Sequence, residues 1–119
     1  MNKLIDQSVL DNYELLDTGW PVLQELHKYF VKNVPDRLAE SHDYLAKGDF
    51  KNLKESLHAL KNSFLNVGAL TVAEQCQSLE DNLNQFSFKV SDEHHKKIEL
   101  QYFEVRRELE IMIEMSRKN

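Results

Sequence analysis

The sequence predicts an all-α protein: an antiparallel up-and-down four-helix bundle with a short additional N-terminal helix. Two observations carry this reading. Apolar residues recur at steps of three and four almost from end to end, the spacing that draws one apolar stripe along a helix. Only three Gly and two Pro occur in 119 residues, too few for the many tight turns of a β-sandwich or barrel. A chain of this length is expected to form one domain, residues 1–119. It can bury about two-thirds of its unfolded surface, enough for one core without staples.

The elements follow in order. A short helix is expected over Ser8–Leu16, ended by Asp17-Thr18-Gly19. Trp20-Pro21 restarts the chain, with Pro21 suited to a first helical turn. Val22, Leu23, Leu26, Phe30 and Val34 then line one face of a second helix. Pro35 lacks an N–H and crowds the preceding turn, so that helix is expected to break or bend there. A third helix continues to about Lys47 with Leu38, Ser41 and Leu45 inward. Gly48 reads as its C′ residue and Asp49 as the N-cap of the next helix.

The fourth helix spans Phe50 to about Asn66, with Leu53, Leu57, Leu60 and Phe64 on its inner face, and Gly68 ends it. The fifth carries Val72, Cys76, Leu79, Leu83 and Phe86 on one side. Ser91 reads as the cap of the last helix, with Asp92 and Glu93 in its first turn, where negative charge suits the helix dipole. That helix continues through Ile98, Tyr102, Val105, Leu109 and Met112 and closes on Arg117 and Lys118. Each long helix thus has one apolar and one charged side, and the apolar sides must meet.

Composition removes several functions. Cys76 is the only cysteine, so neither an intrachain disulfide nor a Cys-based zinc site can form. Twenty acidic against fifteen basic side chains give a net charge of −5, which argues against wholesale nucleic-acid binding. No apolar run approaches the ~18 residues of a membrane span, and the polar start at Met1–Asp6 has no signal-peptide core. A cytoplasmic protein is the simplest expectation.

Five histidines are candidates for chemistry. His27 and His42 flank apolar stripes and read as packed or rim residues; His94 and His95 fall in a hydrophilic first turn and read as solvated. His58 differs. At about 100° per residue it lies ~120–140° from the centre of the Leu53/Leu57/Leu60/Phe64 stripe and so points away from the core. Lys54, Lys61, Asn62 and Leu65 share its side of the helix by i±3, i±4 and i+7 spacing. The two lysines can steady a negative group placed there, and Leu65 is a plausible edge of a docking patch. A solvated helix face that happens to contain a histidine accounts equally for these residues alone.

Glu55-Ser-Leu-His58 also matches the Glu-x-x-His spacing of di-iron bundles. Such sites need two of these motifs and two more glutamates, all pointing inward, so the spacing reads as chance and no metal site is expected. Cys76 falls on a core stripe and reads as a small buried hydrophobe, not a nucleophile.

The residues from His58 onward carry a family resemblance. His58-Ala-Leu60-Lys61-Asn62-Ser63-Phe-Leu-Asn-Val-Gly68-Ala69 resembles the phosphoacceptor signature of histidine phosphotransfer (HPt) domains, H-x-L-K-G-S-x-x-x-G-A. Cys76-Gln-Ser-Leu79-Glu80 is similar to the C-x-x-L-E stretch on the family's following helix. The order Leu23, Phe30, Leu38, Leu45, Asp49, Leu53 follows the pattern before the histidine. The resemblance covers Leu10 to Phe86, and the last helix by amphipathic pattern alone.

The resemblance implies a stand-alone, monomeric phosphocarrier with no turnover of its own, relaying phosphoryl groups between receiver-domain aspartates. Its partners would be the receiver domain of a hybrid sensor kinase and that of a response regulator. His58 would accept the phosphoryl group and Lys61 would position it, with Lys54, Asn62, Leu65 and Glu80 around the docking face. Glu80 would orient the imidazole from the facing helix, Gly68 would let the helix end and pack tightly, and Ser63 would pack or cap. No cofactor is needed, since the metal belongs to the receiver. Asn62 stands where the family often has glycine, which narrows the approach of a partner but adds a hydrogen-bond donor. The alternative is a bundle that docks receivers or partner helices without being phosphorylated.

Overall fold

The computed structural model describes residues 3–16 and 20–118, with side chains placed for residues 3–11 and 21–115. Five helices follow one another: α1 Gln7–Leu16, α2 Trp20–Lys47, α3 Phe50–Asn66, α4 Leu70–Asn82 and α5 Phe88–Lys118. α2 packs on α3 and α5, α3 on α4, and α4 on α5, which closes a four-helix ring; α1 lies against α2. The all-α bundle expected from the apolar spacing is the observed fold. The turn expected at Asp17-Thr18-Gly19 lies outside the described residues.

At Pro35 the expectation fails. α2 runs through it as one 28-residue helix, so the second and third helices are a single element. Pro35 is exposed, so its ring displaces no core side chain. An internal proline costs about 3 kcal/mol. Against this stands a stripe that continues unbroken across it: Leu23, Phe30, Val34, Leu38, Ser41 and Leu45 are all buried. Each large apolar side chain on that stripe contributes about 1.5–3 kcal/mol on burial.

The joint between α2 and α3 forms as the sequence reads. Gly48 takes φ +70°, and Asp49 caps α3 by accepting from the Asn52 backbone N–H at 3.3 Å. α3 then buries Leu53, Leu57, Leu60 and Phe64 completely. Phe64 meets Phe30 of α2 edge-on at 5.6 Å, and Phe30 stacks on Tyr102 of α5 at 5.1 Å. Three helices are thereby locked around one aromatic cluster, and α3 is held rigidly from behind.

The α4–α5 connection differs from expectation. α4 stops at Asn82, whose side-chain amide donates to the Ser78 carbonyl at 2.7 Å. Leu83 stays buried, but Phe86 sits in the following turn and stacks on the His94 ring at 4.9 Å. α5 starts at Phe88, one turn before Ser91, and its cap is Ser87, whose Oγ accepts from the Val90 N–H at 3.2 Å. Ser91 is buried inside the helix, and Asp92 and Glu93 lie beyond its first turn. Asp92 instead pairs with Lys96 at 3.1 Å and His42 at 3.2 Å; the Lys96 bond, first, and the His42 contact hold its carboxyl below the usual range.

His95 is the larger correction. Three residues before Ile98 and seven before Tyr102, its ring lies on the core face of α5 and has no exposed surface. Nε2 shares a hydrogen bond with Ser41 Oγ of α2. Nδ1 lies 3.2 Å from Glu99 Oε1, in ion-pair range but without hydrogen-bond alignment. Burial, the dominant cause, pushes its pKa below the ordinary histidine value; His42 nearby adds to this, while Glu99 and Asp92 oppose it. The unfolded chain therefore takes up this proton at a higher pH than the folded one. Stability is full above pH ~6.5 and is lost as pH falls below it, by at most about 1.4 kcal/mol per pH unit. Urea melts at pH 7.5 and 5.5 are expected to show this loss in the wild type and to lose it in His95→Gln, which retains a partner for Ser41. An equal pH dependence in both proteins would place the loss elsewhere.

Candidate functional site

α3 presents its outer face to solvent because its inner face is fully occupied. His58 is exposed there, and among the described residues no side chain hydrogen-bonds its ring. Lys54 and Glu55, one turn before it, are exposed, as are Asn62 one turn after and Leu65 two turns after. Lys54, Glu55 and His58 of α3 and Glu80 of α4 line one shallow, open depression. Glu55, which the di-iron comparison set aside, is thus a neighbour of the imidazole in space as well as in sequence.

The other sequence-derived candidates divide between this depression and its surroundings. Lys61 is half-buried and turns toward α4, where its Nζ donates to Gln77 Oε1 at 2.9 Å. Glu80 reaches the depression, but its Oε2 accepts from Gln77 Nε2 at 3.1 Å. Asn62 and Leu65 flank the depression on the same helix without lining it. Ser63 is buried and its Oγ donates to the Ala59 carbonyl at 3.1 Å, a local backbone bond one turn back.

Gly68 takes φ +78° and packs on the segment leading into α1, whose Asp6 N–H donates to the Gly68 carbonyl at 2.8 Å. A Cβ there would meet the Asp6 carbonyl oxygen at 2.9 Å and Val9 Cβ at 3.2 Å. The close neighbour of this glycine is therefore the N-terminal segment. Cys76 is buried, and burial pushes its thiol up to about 12, so it stays protonated and unreactive at neutral pH.

Gln77 was not singled out from the sequence. It falls on a variable position of the Cys76-Gln-Ser-Leu79-Glu80 stretch, and a half-buried glutamine carries no signal of its own. Helical spacing places Gln77 on one side of α4 with Glu80 and Asp81, at i, i+3 and i+4, but carries no sign of its contact with Lys61 of α3.

A single exposed imidazole on a rigid helix, with lysines one turn to either side, can take up and give back an anionic group without enclosing it. The chain's residues 25–118 match the family model described as the Hpt domain. The chain belongs to the Hpt domain family. The match extends through α5, so the Hpt assignment includes the last helix as well as the histidine motif. No curated protein and no solved structure matches the chain. Membership implies histidine phosphotransfer in phosphorelay signalling and interaction with receiver domains of response regulators. No helix among the described residues is long and apolar enough to cross a membrane.

Proposed function

We propose that this Hpt protein is a phosphocarrier that relays phosphoryl groups between receiver-domain aspartates through phospho-His58. The observation that carries the reading is the position of His58: exposed on α3, on the side away from a stripe of four fully buried side chains. Phosphoryl transfer asks mainly for alignment and charge compensation, and a rigid helix supplies the first.

In the uptake step, the free nitrogen of a neutral His58 ring attacks the phosphorus of an aspartyl phosphate. An N–P bond forms while the P–O bond to the aspartate breaks, and the electron pair leaves with the carboxylate. The ring keeps the N–H on its other nitrogen. Donation to the next receiver runs the same step in reverse. Lys61, one turn away, neutralises phosphoryl oxygens as a compact cation. The two lysines at the site are balanced by Glu55 and Glu80, so most of the charge compensation falls to the receiver and its divalent cation. The carrier itself then needs no cofactor and no general base.

The test is incubation with receiver domains carrying labelled phosphate. An acid-labile, base-stable label that maps to the peptide containing His58 supports the relay. Binding of unphosphorylated receivers with no label from any phosphorylated one would instead establish a docking module. Lys61→Ala is expected to slow uptake about tenfold, the loss of one charge-assisted contact to the phosphoryl group. Its melting temperature should fall by only a few °C, since the half-buried side chain gives up one hydrogen bond, to Gln77. Uptake at the wild-type rate would remove Lys61 from the mechanism.

A further inference from the structure

We propose that Gln77 is a positioning residue for the relay: it holds Lys61 on a neutral acceptor, one turn from His58, and keeps the acidic side chains of α4 off that lysine. The inference rests on His58 being the phosphoacceptor and adds a residue to that site.

The geometry is a three-part chain. Lys61 Nζ donates to Gln77 Oε1 at 2.9 Å, while Gln77 Nε2 donates to Glu80 Oε2 at 3.1 Å and Asp81 Oδ1 at 2.8 Å. Both amide hydrogens and the amide oxygen are therefore engaged, and the charges fix which end faces which group. A flipped amide would set its NH2 against an ammonium and its oxygen against two carboxylates, losing all three bonds. Lys61, Gln77 and Glu80 are each half-buried, so the arrangement is held by packing as well as by hydrogen bonds.

The chemistry needs Lys61 available when a phosphoryl group reaches His58. An ammonium on a carboxylate gains the Coulomb attraction of two opposite charges on top of the hydrogen bond, which an ammonium on an amide oxygen lacks. A lysine paired directly with Glu80 or Asp81 would have to break such a bond before turning to the phosphoryl oxygens. Resting on an amide oxygen, it gives up only a neutral acceptor. By occupying Glu80 and Asp81 with its own N–H groups, Gln77 also removes their competing claim on the cation. Glu80, held in this way, remains a wall of the depression beside His58.

The experiment is a double-mutant cycle on the rate of phosphoryl uptake from one phosphorylated receiver at fixed ionic strength. Gln77→Glu keeps the shape of the side chain and replaces the neutral acceptor with a carboxylate. Expected is a rate about tenfold lower, close to that of Lys61→Ala, with a small loss of thermal stability that is the same in both backgrounds, because the new carboxylate faces Glu80 and Asp81 where the amide donated to them. In the Lys61→Ala background the same substitution should change the rate by less than about twofold, because the group it traps is gone. Wild-type uptake by Gln77→Glu would overturn the proposal. So would effects that multiply across the two sites, which would mark a general charge effect on receiver approach. Failure of the underlying reading looks different: wild type would then take no label, or His58→Gln would keep it.

Discussion

His58→Gln is expected to reduce phosphoryl uptake to below about 1% of wild type while leaving the fold untouched. The chemical half of this follows from the ring: glutamine offers hydrogen-bonding groups of similar reach but no nitrogen lone pair that can form an N–P bond. The structural half follows from its surroundings. The imidazole is exposed and, among the described residues, bonded to no side chain. Surface substitutions of this kind stay within about 0.5 kcal/mol, equivalent to about 2 °C in melting temperature at this size. The decisive measurement pairs label uptake with a thermal melt of the same sample. Residual label on the variant would move the acceptor elsewhere, with exposed His94 the next ring to replace. Lost label accompanied by a large drop in melting temperature would mean that the imidazole supports the bundle as well.

α3 shows what could be read directly from the residues. Its start depends on Gly48 and Asp49, its inner face on Leu53, Leu57, Leu60 and Phe64, and its end on Gly68. All of these are local signals, and together they fix the direction in which His58 points. Pro35 misled because its penalty is local while the compensation is distributed along the stripe from Leu23 to Leu45. The steps Phe30, Val34, Leu38 preserve helical phase across the proline, and that continuity outweighs the one lost hydrogen bond.

α5 starts one turn before the Ser91 that the sequence suggests as its cap, because Ser87 Oγ accepts from the Val90 N–H and Ser91 packs inside the helix. A cap at Ser91 places His95 in a polar first turn and hence in water. His95 shares the face of Ile98 and Tyr102, three and seven residues on, and with a full turn of α5 before it the ring is fully buried with them. Gln77 was hidden for another reason. Its role depends on Lys61 crossing from α3 to α4, a contact between helices that the pattern of either helix alone does not specify.

Gly68→Ala is expected to destabilise the fold by about 2–3 kcal/mol, or roughly 10 °C, without slowing phosphoryl transfer. Two costs add. At φ +78° an L-residue pays about 1–2 kcal/mol in steric strain. The new Cβ also lies 2.9 Å from the Asp6 carbonyl oxygen and 3.2 Å from Val9 Cβ, so the segment entering α1 must shift. That shift strains the Asp6 N–H bond to the Gly68 carbonyl, one of the ties that hold the N-terminal segment. The other main tie, Glu108 accepting from the Leu4 and Ile5 N–H groups at 2.9 and 3.0 Å, resists the movement. Gly48→Ala supplies the control: φ is +70° there but nothing lies within 4 Å of the added Cβ. Only the strain should be felt, and the difference between the two melts measures the contact with Asp6 and Val9. Equal losses would show that the N-terminal segment yields freely. Gly68 lies about 15 Å along the chain's helical rise from His58, so a slowed transfer in Gly68→Ala would instead show that the segment entering α1 helps to set the position of α3 at the site.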